Sequence, residues 1–147
     1  MTLPPKDMLC FALYSAAHAM QSAYAPLLEP LGLTYPQYLV IIALHDAQDQ
    51  TVGQLGAALM LDSNTLTPLL KRMEAAGWVT RQRDRADERQ VRVALAPQGT
   101  VLVAKLAEIQ SCFSDKSGLS IGQIVTLRDD LSALRDQLRP RPARRQA

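Results

Sequence analysis

The segment Leu61 to Leu95, LDSNTLTPLLKRMEAAGWVTRQRDRADERQVRVAL, changes its hydrophobic period once, and that change restricts the fold more than anything else in the chain. Leu66, Leu69, Leu70 and Met73 fall at i, i+3, i+4 and i+7, the stripe of an amphipathic helix. Ser63, Asn64, Thr65, Thr67, Lys71 and Arg72 are left on the other face. Gly77 stops the helix. The period then becomes two: Val79, Arg81 and Arg83 alternate with Thr80 and Gln82, and Val91, Val93 and Leu95 alternate with Arg92 and Ala94. A helix followed by two strands flanking the polar turn Asp84 to Glu88 is expected. Pro68 lacks the amide hydrogen that an interior helical residue donates, so either the helix bends there or its first turn is irregular.

Charge gathers on the same segment. From Lys71 to Arg92 there are seven cations (Lys71, Arg72, Arg81, Arg83, Arg85, Arg89, Arg92) against four acids (Glu74, Asp84, Asp87, Glu88), a local net of +3, whereas all 147 residues carry only +2. A charged hairpin alone is an ordinary solvated surface. Joined to a helix whose outer face holds small hydrogen-bonding side chains and two cations, it is a nucleic-acid surface. Lys71 is expected to hold phosphate, and Thr65 to bear on sequence choice. Upstream, Thr51 caps TVGQLGAALML, in which Val52, Leu55 and Leu59 face inward, and the two helices together form a helix-turn-helix. The fold class is therefore mainly α with a small β-wing: a winged helix-turn-helix over 31–97.

The rest of the chain reads as helices. Pro4 and Pro5 mark a helix start, and the segment that follows runs helically until Pro26 bends or ends it. Thr34 caps a second helix with Pro36 in its first turn and Tyr38, Leu39, Ile41, Ile42 and Leu44 as apolar surface. Pro97 opens a helix carrying Val101, Leu102, Leu106 and Ile109, which Gly118 ends. In the last helix Ile124, Leu127, Leu131, Leu134 and Leu138 are spaced 3, 4, 3, 4, the pattern of a helix lying along another. Residues 4–30 and 98–139 are thus expected to form a helical dimerisation region, with intrachain packing as the alternative for that stripe. The basic tail 140–147 is expected to be disordered. No apolar run approaches ~20 residues and no leader opens the chain, so a cytoplasmic protein without membrane contact is expected. Cys10 and Cys112 do not suggest a framework of structural bridges. Cys10, His18, His45 and Cys112 lack the spacing of a zinc site, and no metal or cofactor is expected.

From about Leu9 to Leu138 the chain resembles the MarR-type winged-helix regulators and, within them, the organic hydroperoxide resistance (OhrR) repressors. The resemblance rests on LCFALYSA around Cys10, GLTYPQYLV from Gly32 to Val40, LDSNTLTPLLKRMEAAG, and the DER of Asp87, Glu88 and Arg89. Asn64 departs from the glycine usual at its place. The resemblance implies a homodimer that binds a pseudo-palindromic operator in double-stranded DNA through Ser63, Asn64, Thr65, Thr67, Lys71, Arg72, Arg83, Arg85, Asp87 and Arg89. It also implies that Cys10 reacts with organic hydroperoxide, that Tyr24 and Tyr35 donate hydrogen bonds to its sulfur, and that Cys112 places the chain in the two-cysteine group, with a Cys10 to Cys112 bridge between subunits.

The residues bear on these implications separately. Cys10 lies near a helix start with Lys6 one turn before it, a setting that favours a thiolate. The plain alternatives are a buried, inert Cys10 and an inert Cys112 at a helix end. Cys10 and Tyr24 are fourteen residues apart, ~21 Å along a straight helix. Their contact requires either a break in that helix or an antiparallel helix from a second subunit. Tyr14 and Tyr38 are expected to pack, with Tyr14 an additional neighbour of Cys10. Two competing functions are a MarR-type repressor gated by a small aromatic ligand, bound between the helical and winged parts, and a thiol peroxidase. The winged helix, and the absence of a C-x-x-C or of a histidine with an orienting acid, oppose the enzyme.

Overall fold

The computed structural model describes residues 2–139. The expected disorder of 140–147 lies outside them. The chain forms two compact units, the first ending at Gln110 and the second starting at Ser111.

In the first unit Pro5–Asp7 forms a 3-10 turn, and α1 runs from Leu9 to Leu28. Of the two expectations for Pro26, a bend or an end, the end is excluded: α1 continues two residues past it, and a second 3-10 turn, Glu29–Leu31, leads to Gly32 at φ 69°. The left-handed glycine turns the chain into α2 (Tyr35–Asp46). Thr34 and Gln37 close a capping box there, with the Thr34 N–H donating to Gln37 Oε1 at 2.9 Å. A second box, Thr51 with Gln54, starts α3 (Val52–Leu59) directly after the two-residue β1 (Gln50–Thr51). Met60 at φ 57° ends α3 and Asp62 caps α4 (Ser63–Ala75).

The hairpin β2 (Val79–Arg83) and β3 (Val91–Leu95) is antiparallel, pairing Arg81 with Val93, and β1 adds to the free edge of β3 to give the order β1-β3-β2. The core gathers Val40, Ile41 and Leu44 from α2, Leu55 from α3, Leu66 and Met73 from α4, and Val93 from β3, all fully buried. The α4 stripe is the one read from its spacing. Met73 and Leu70 are buried with it, so the polar stripe faces out.

α5 (Pro97–Ser117) begins in this unit. Leu106 and Ile109 are buried, but Val101 is 68% exposed and does not belong to the apolar face expected of it. At its start the helix presses on the β2 entry: the Ala96 N–H donates to the Trp78 carbonyl at 3.0 Å, and a Cβ on Gly99 would overlap that same oxygen. In the second unit Gly118 (φ 68°) ends α5, and Ser120 with Gln123 caps α6 (Ile121–Leu138). Leu127, Leu131 and Leu138 on its heptad stripe are exposed at 49%, 38% and 73%. Ile124 and Leu134 on the same stripe are half-buried, so the stripe is covered only in part.

No single helix among the described residues is long and apolar enough to cross a membrane; α1 with the following turn passes only as a pair with α2, bent by 76°, and α2 forms the core. Gly99→Ala should destabilise the fold by about 1–3 kcal/mol through overpacking against a fixed carbonyl. Gly122→Ala, with nothing within 4 Å of its Cβ, should stabilise by up to about 1 kcal/mol. Urea denaturation midpoints check both, and an unchanged midpoint for Gly99→Ala would contradict the packing described.

Candidate nucleic-acid interface and thiol site

The outer face of α4 is built by its cap and its core. The Asp62 carboxylate accepts the Thr65 N–H at 2.8 Å, and the Asp62 carbonyl accepts the Leu66 N–H at 2.9 Å, so the first turn is regular. Pro68 sits inside the helix without ending it. Only one backbone bond is forgone there, and the buried leucines on both sides hold the helix together. Ser63, Asn64, Thr65, Lys71 and Arg72 are exposed and Thr67 is half-buried.

The wing is fastened to this helix by charge. Glu74 accepts from Arg81 at 2.6 and 2.9 Å and also takes the Arg81 N–H at 3.2 Å, tying the last turn of α4 to β2. Arg92 bridges the Asp84 carboxylate at 3.0 Å and the Asp49 carboxylate at 2.9 Å, joining the wing to the loop before β1. The turn itself closes on Asp84, whose carboxylate accepts the N–H groups of Ala86 and Asp87 at 2.7 and 3.2 Å. Asp87 in turn accepts from Arg89 and Gln90. Hydrogen bonding by Arg92 holds the Asp84 carboxyl below the usual aspartate range, and Arg81 does the same for Glu74. Arg81 and Arg92 are therefore internal fasteners. Lys71, Arg72, Arg83 and Arg85 make no ion pair among the described residues, and Arg89, although paired with Asp87, has a side chain 91% exposed. Arg83 and Arg85 line a cleft of about 500 Å³ beside the Asp49–Arg92–Asp84 bridge.

Cys10 and Tyr24 lie at opposite ends of α1. Cys10 is its second residue and is exposed, which does not fit the buried, inert alternative. Tyr24 is buried near the other end, its ring centroid 5.2 Å from Tyr35 and 5.4 Å from Tyr38. Burial, followed by the neighbouring phenol of Tyr38, raises the pKa of both Tyr24 and Tyr35, so both stay protonated as potential donors. α1 is unbroken between Cys10 and Tyr24, which removes the first of the two routes to their contact and keeps them ~21 Å apart within one chain. Tyr38 packs as expected; Tyr14 does not, being 63% exposed with its ring edge-on to His18 at 4.6 Å. Cys112 lies on α5 in the second unit, half-buried and unbridged. In the first unit a half-open cleft of about 430 Å³ is lined by Ile42, His45, Asp46, Val103, Ala107 and Gln110.

Sequence reasoning missed the Glu74–Arg81 and Asp49–Arg92 links. Asp49 and Arg92 are 43 positions apart and no local spacing signals their pairing.

A helix with a polar outer face, clamped to a two-stranded basic wing, defines the winged-helix class of transcriptional regulators. The chain belongs to the family described as transcriptional regulator SarA/Rot, whose profile matches residues 22–106. It is 46% identical over 135 residues to the HTH-type transcriptional regulator TtmR of Methylorubrum extorquens, covering 92% of this chain and 69% of that one. It is 42% identical over 122 residues to the organic hydroperoxide resistance transcriptional regulator of Bacillus subtilis, covering 81% and 83%. Reduced AbfR bound to DNA matches with a TM-score of 0.76 at 35% identity, over 88% of this chain and 91% of that one. The family and these relatives are transcriptional regulators and not enzymes, of the MarR/OhrR type that the motifs resembled.

The Asp84 pairings give a pH dependence of definite sign. A carboxyl with a lowered folded pKa stabilises above its unfolded value, and the contribution is lost as pH falls through the folded one. The amide shift of Ala86 should titrate with a midpoint below the ordinary 3.8, and Asp84→Asn should remove that step. NMR titration checks this, and a midpoint at or above 3.8 would contradict it.

Proposed function

We propose that the protein is a peroxide-sensing transcriptional repressor, acting in the cytoplasm, that binds a pseudo-palindromic operator as a reduced homodimer and lets go when Cys10 is oxidised by an organic hydroperoxide. One observation carries the reading: α1 is a single unbroken helix with an exposed thiol at one end and, at the other, buried Tyr24 packed on half-buried Tyr35, both with raised pKa. An antiparallel α1 from a second subunit would bring the tyrosines of one chain to the thiol of the other. The exposed apolar side chains Leu9, Phe11, Tyr14 and Met20 on α1, with the α6 stripe, supply apolar surface for such a partner. Residues 4–30 and 98–139 would then form the dimerisation region and 31–97 the DNA-binding region. The hydroperoxide resistance regulator of B. subtilis supports the choice of oxidant. AbfR, whose structures include reduced and overoxidised forms bound to DNA and a disulfide-formed state, supports redox control.

In the proposed reaction the Cys10 thiolate attacks the terminal peroxide oxygen. An S–O bond forms, the O–O bond breaks, and the departing alkoxide takes a proton to become the alcohol. The phenols of Tyr24 and Tyr35 would donate to the sulfur before attack. The sulfenic acid condenses with the Cys112 thiol of the other subunit, losing water and leaving a disulfide. Apolar side chains around Cys10 favour an organic peroxide over hydrogen peroxide. Two α4 helices must sit in successive major grooves about 34 Å apart, with Arg85 and Arg89 reaching the flanking minor grooves, so a small repacking at the interface is enough to end binding.

Gel-shift assays on a duplex selected from random-sequence DNA by the reduced protein, with cumene hydroperoxide added and a parallel non-reducing gel, test this reading. Wild type should be released and become a covalent dimer, Cys10→Ser should stay bound, and Cys112→Ser should form no covalent dimer. Release of Cys10→Ser by peroxide would overturn the sensor, and would favour a ligand-gated repressor using the α2–α5 cleft if a small aromatic acid also released it.

A further inference from the structure

The outer face of α4 is not uniform. The buried stripe of Leu66, Leu69, Leu70 and Met73 fixes one side of the helix, and at about 100° per residue the positions almost opposite its centre are Asn64, Pro68, Lys71 and, at the last residue, Ala75. Ser63, Thr65, Thr67 and Arg72 lie on the flanks. The ridge farthest from the core enters a groove first. Of its four side chains, those of Pro68 and Ala75 have no polar atom and Lys71 offers a point charge suited to phosphate. Asn64 carries a donor and an acceptor side by side, the pair that matches adenine N7 and N6.

The cap leaves this amide available. Asparagine near a helix start commonly serves as the cap itself. Here Asp62 takes that role through the Thr65 N–H at 2.8 Å. Asn64 is two residues further on, exposed, and its side chain has no hydrogen-bond partner among the described residues. The backbone around it is held by the cap on one side and by buried Leu66 on the other, so the amide is presented from a rigid turn.

We infer that Asn64 is a specificity-determining residue that reads one adenine in each half-site through paired hydrogen bonds in the major groove. This rests on the DNA-binding reading above. It also moves the main sequence choice from Thr65, whose single hydroxyl sits on the flank, to the ridge.

The test selects binding sites from a random-sequence duplex pool with the reduced full-length protein, wild type and Asn64→Ala. Wild type should enrich adenine at one symmetric position per half-site, and Asn64→Ala should lose that preference while keeping the others. Replacing that adenine with 7-deazaadenine, which lacks the N7 acceptor, should weaken wild type by about tenfold and leave Asn64→Ala unaffected. Unchanged preferences in Asn64→Ala, or a 7-deazaadenine site bound as tightly as its parent, would overturn the adenine contact and leave DNA binding standing. A pool from which wild type enriches nothing would overturn both.

Discussion

A straight α-helix cannot bring its own two ends together, and α1 is one such rod of twenty residues. Its first turn holds Cys10 and its last turns hold Tyr24, which is buried against Tyr35 and Tyr38 at the start of α2. The thiol and the phenols are each well placed by local structure: the thiol is exposed at a helix start, and burial keeps the phenols protonated. Within one chain they are separated by ~21 Å. The proposed sensor is therefore a property of two chains, because the length of α1 allows no other meeting of these groups.

The output end depends on a second constraint, the burial of one stripe of α4. Leu66 and Met73 are fully buried, which orients everything else on that helix. Glu74, on the same last turn, reaches Arg81 and so sets the wing relative to the helix. Arg92 then ties the wing to Asp49 and Asp84. Two of the seven cations counted along this segment are thus consumed in holding the surface together. The charge left for phosphate comes from Lys71, Arg72, Arg83, Arg85 and the exposed Arg89. This division matters more than the net charge.

The elements legible in the sequence are those written in short-range patterns. Thr51 and Asp62 each satisfy an amide three residues on, and Gln37 takes the amide of Thr34 three residues back, so a cap is visible within four positions. The α4 stripe and the alternating strands are visible for the same reason. Pro26 left a bend and an end equally open, and what excludes the end is not local to it: Leu28, only 1% exposed, anchors the final turn beyond it. Val101 misled because an apolar residue at helical spacing does not reveal which way the helix is rotated. The Asp49–Arg92 ion pair, across 43 positions, had no local trace at all. The heptad stripe of α6 shows the converse, a pattern that was legible although three of its leucines, Leu127, Leu131 and Leu138, are exposed.

Mixed dimers test the central claim most directly. In a Cys112→Ser background, one subunit keeps Cys10 and its partner carries Cys10→Ser, so that the rate of thiol loss to cumene hydroperoxide reports a single cysteine. Tyr24→Phe with Tyr35→Phe placed in the partner should slow that reaction, while the same pair in the subunit that holds Cys10 should leave its rate unchanged. The opposite dependence would show that the tyrosines act within one chain, and would contradict the account.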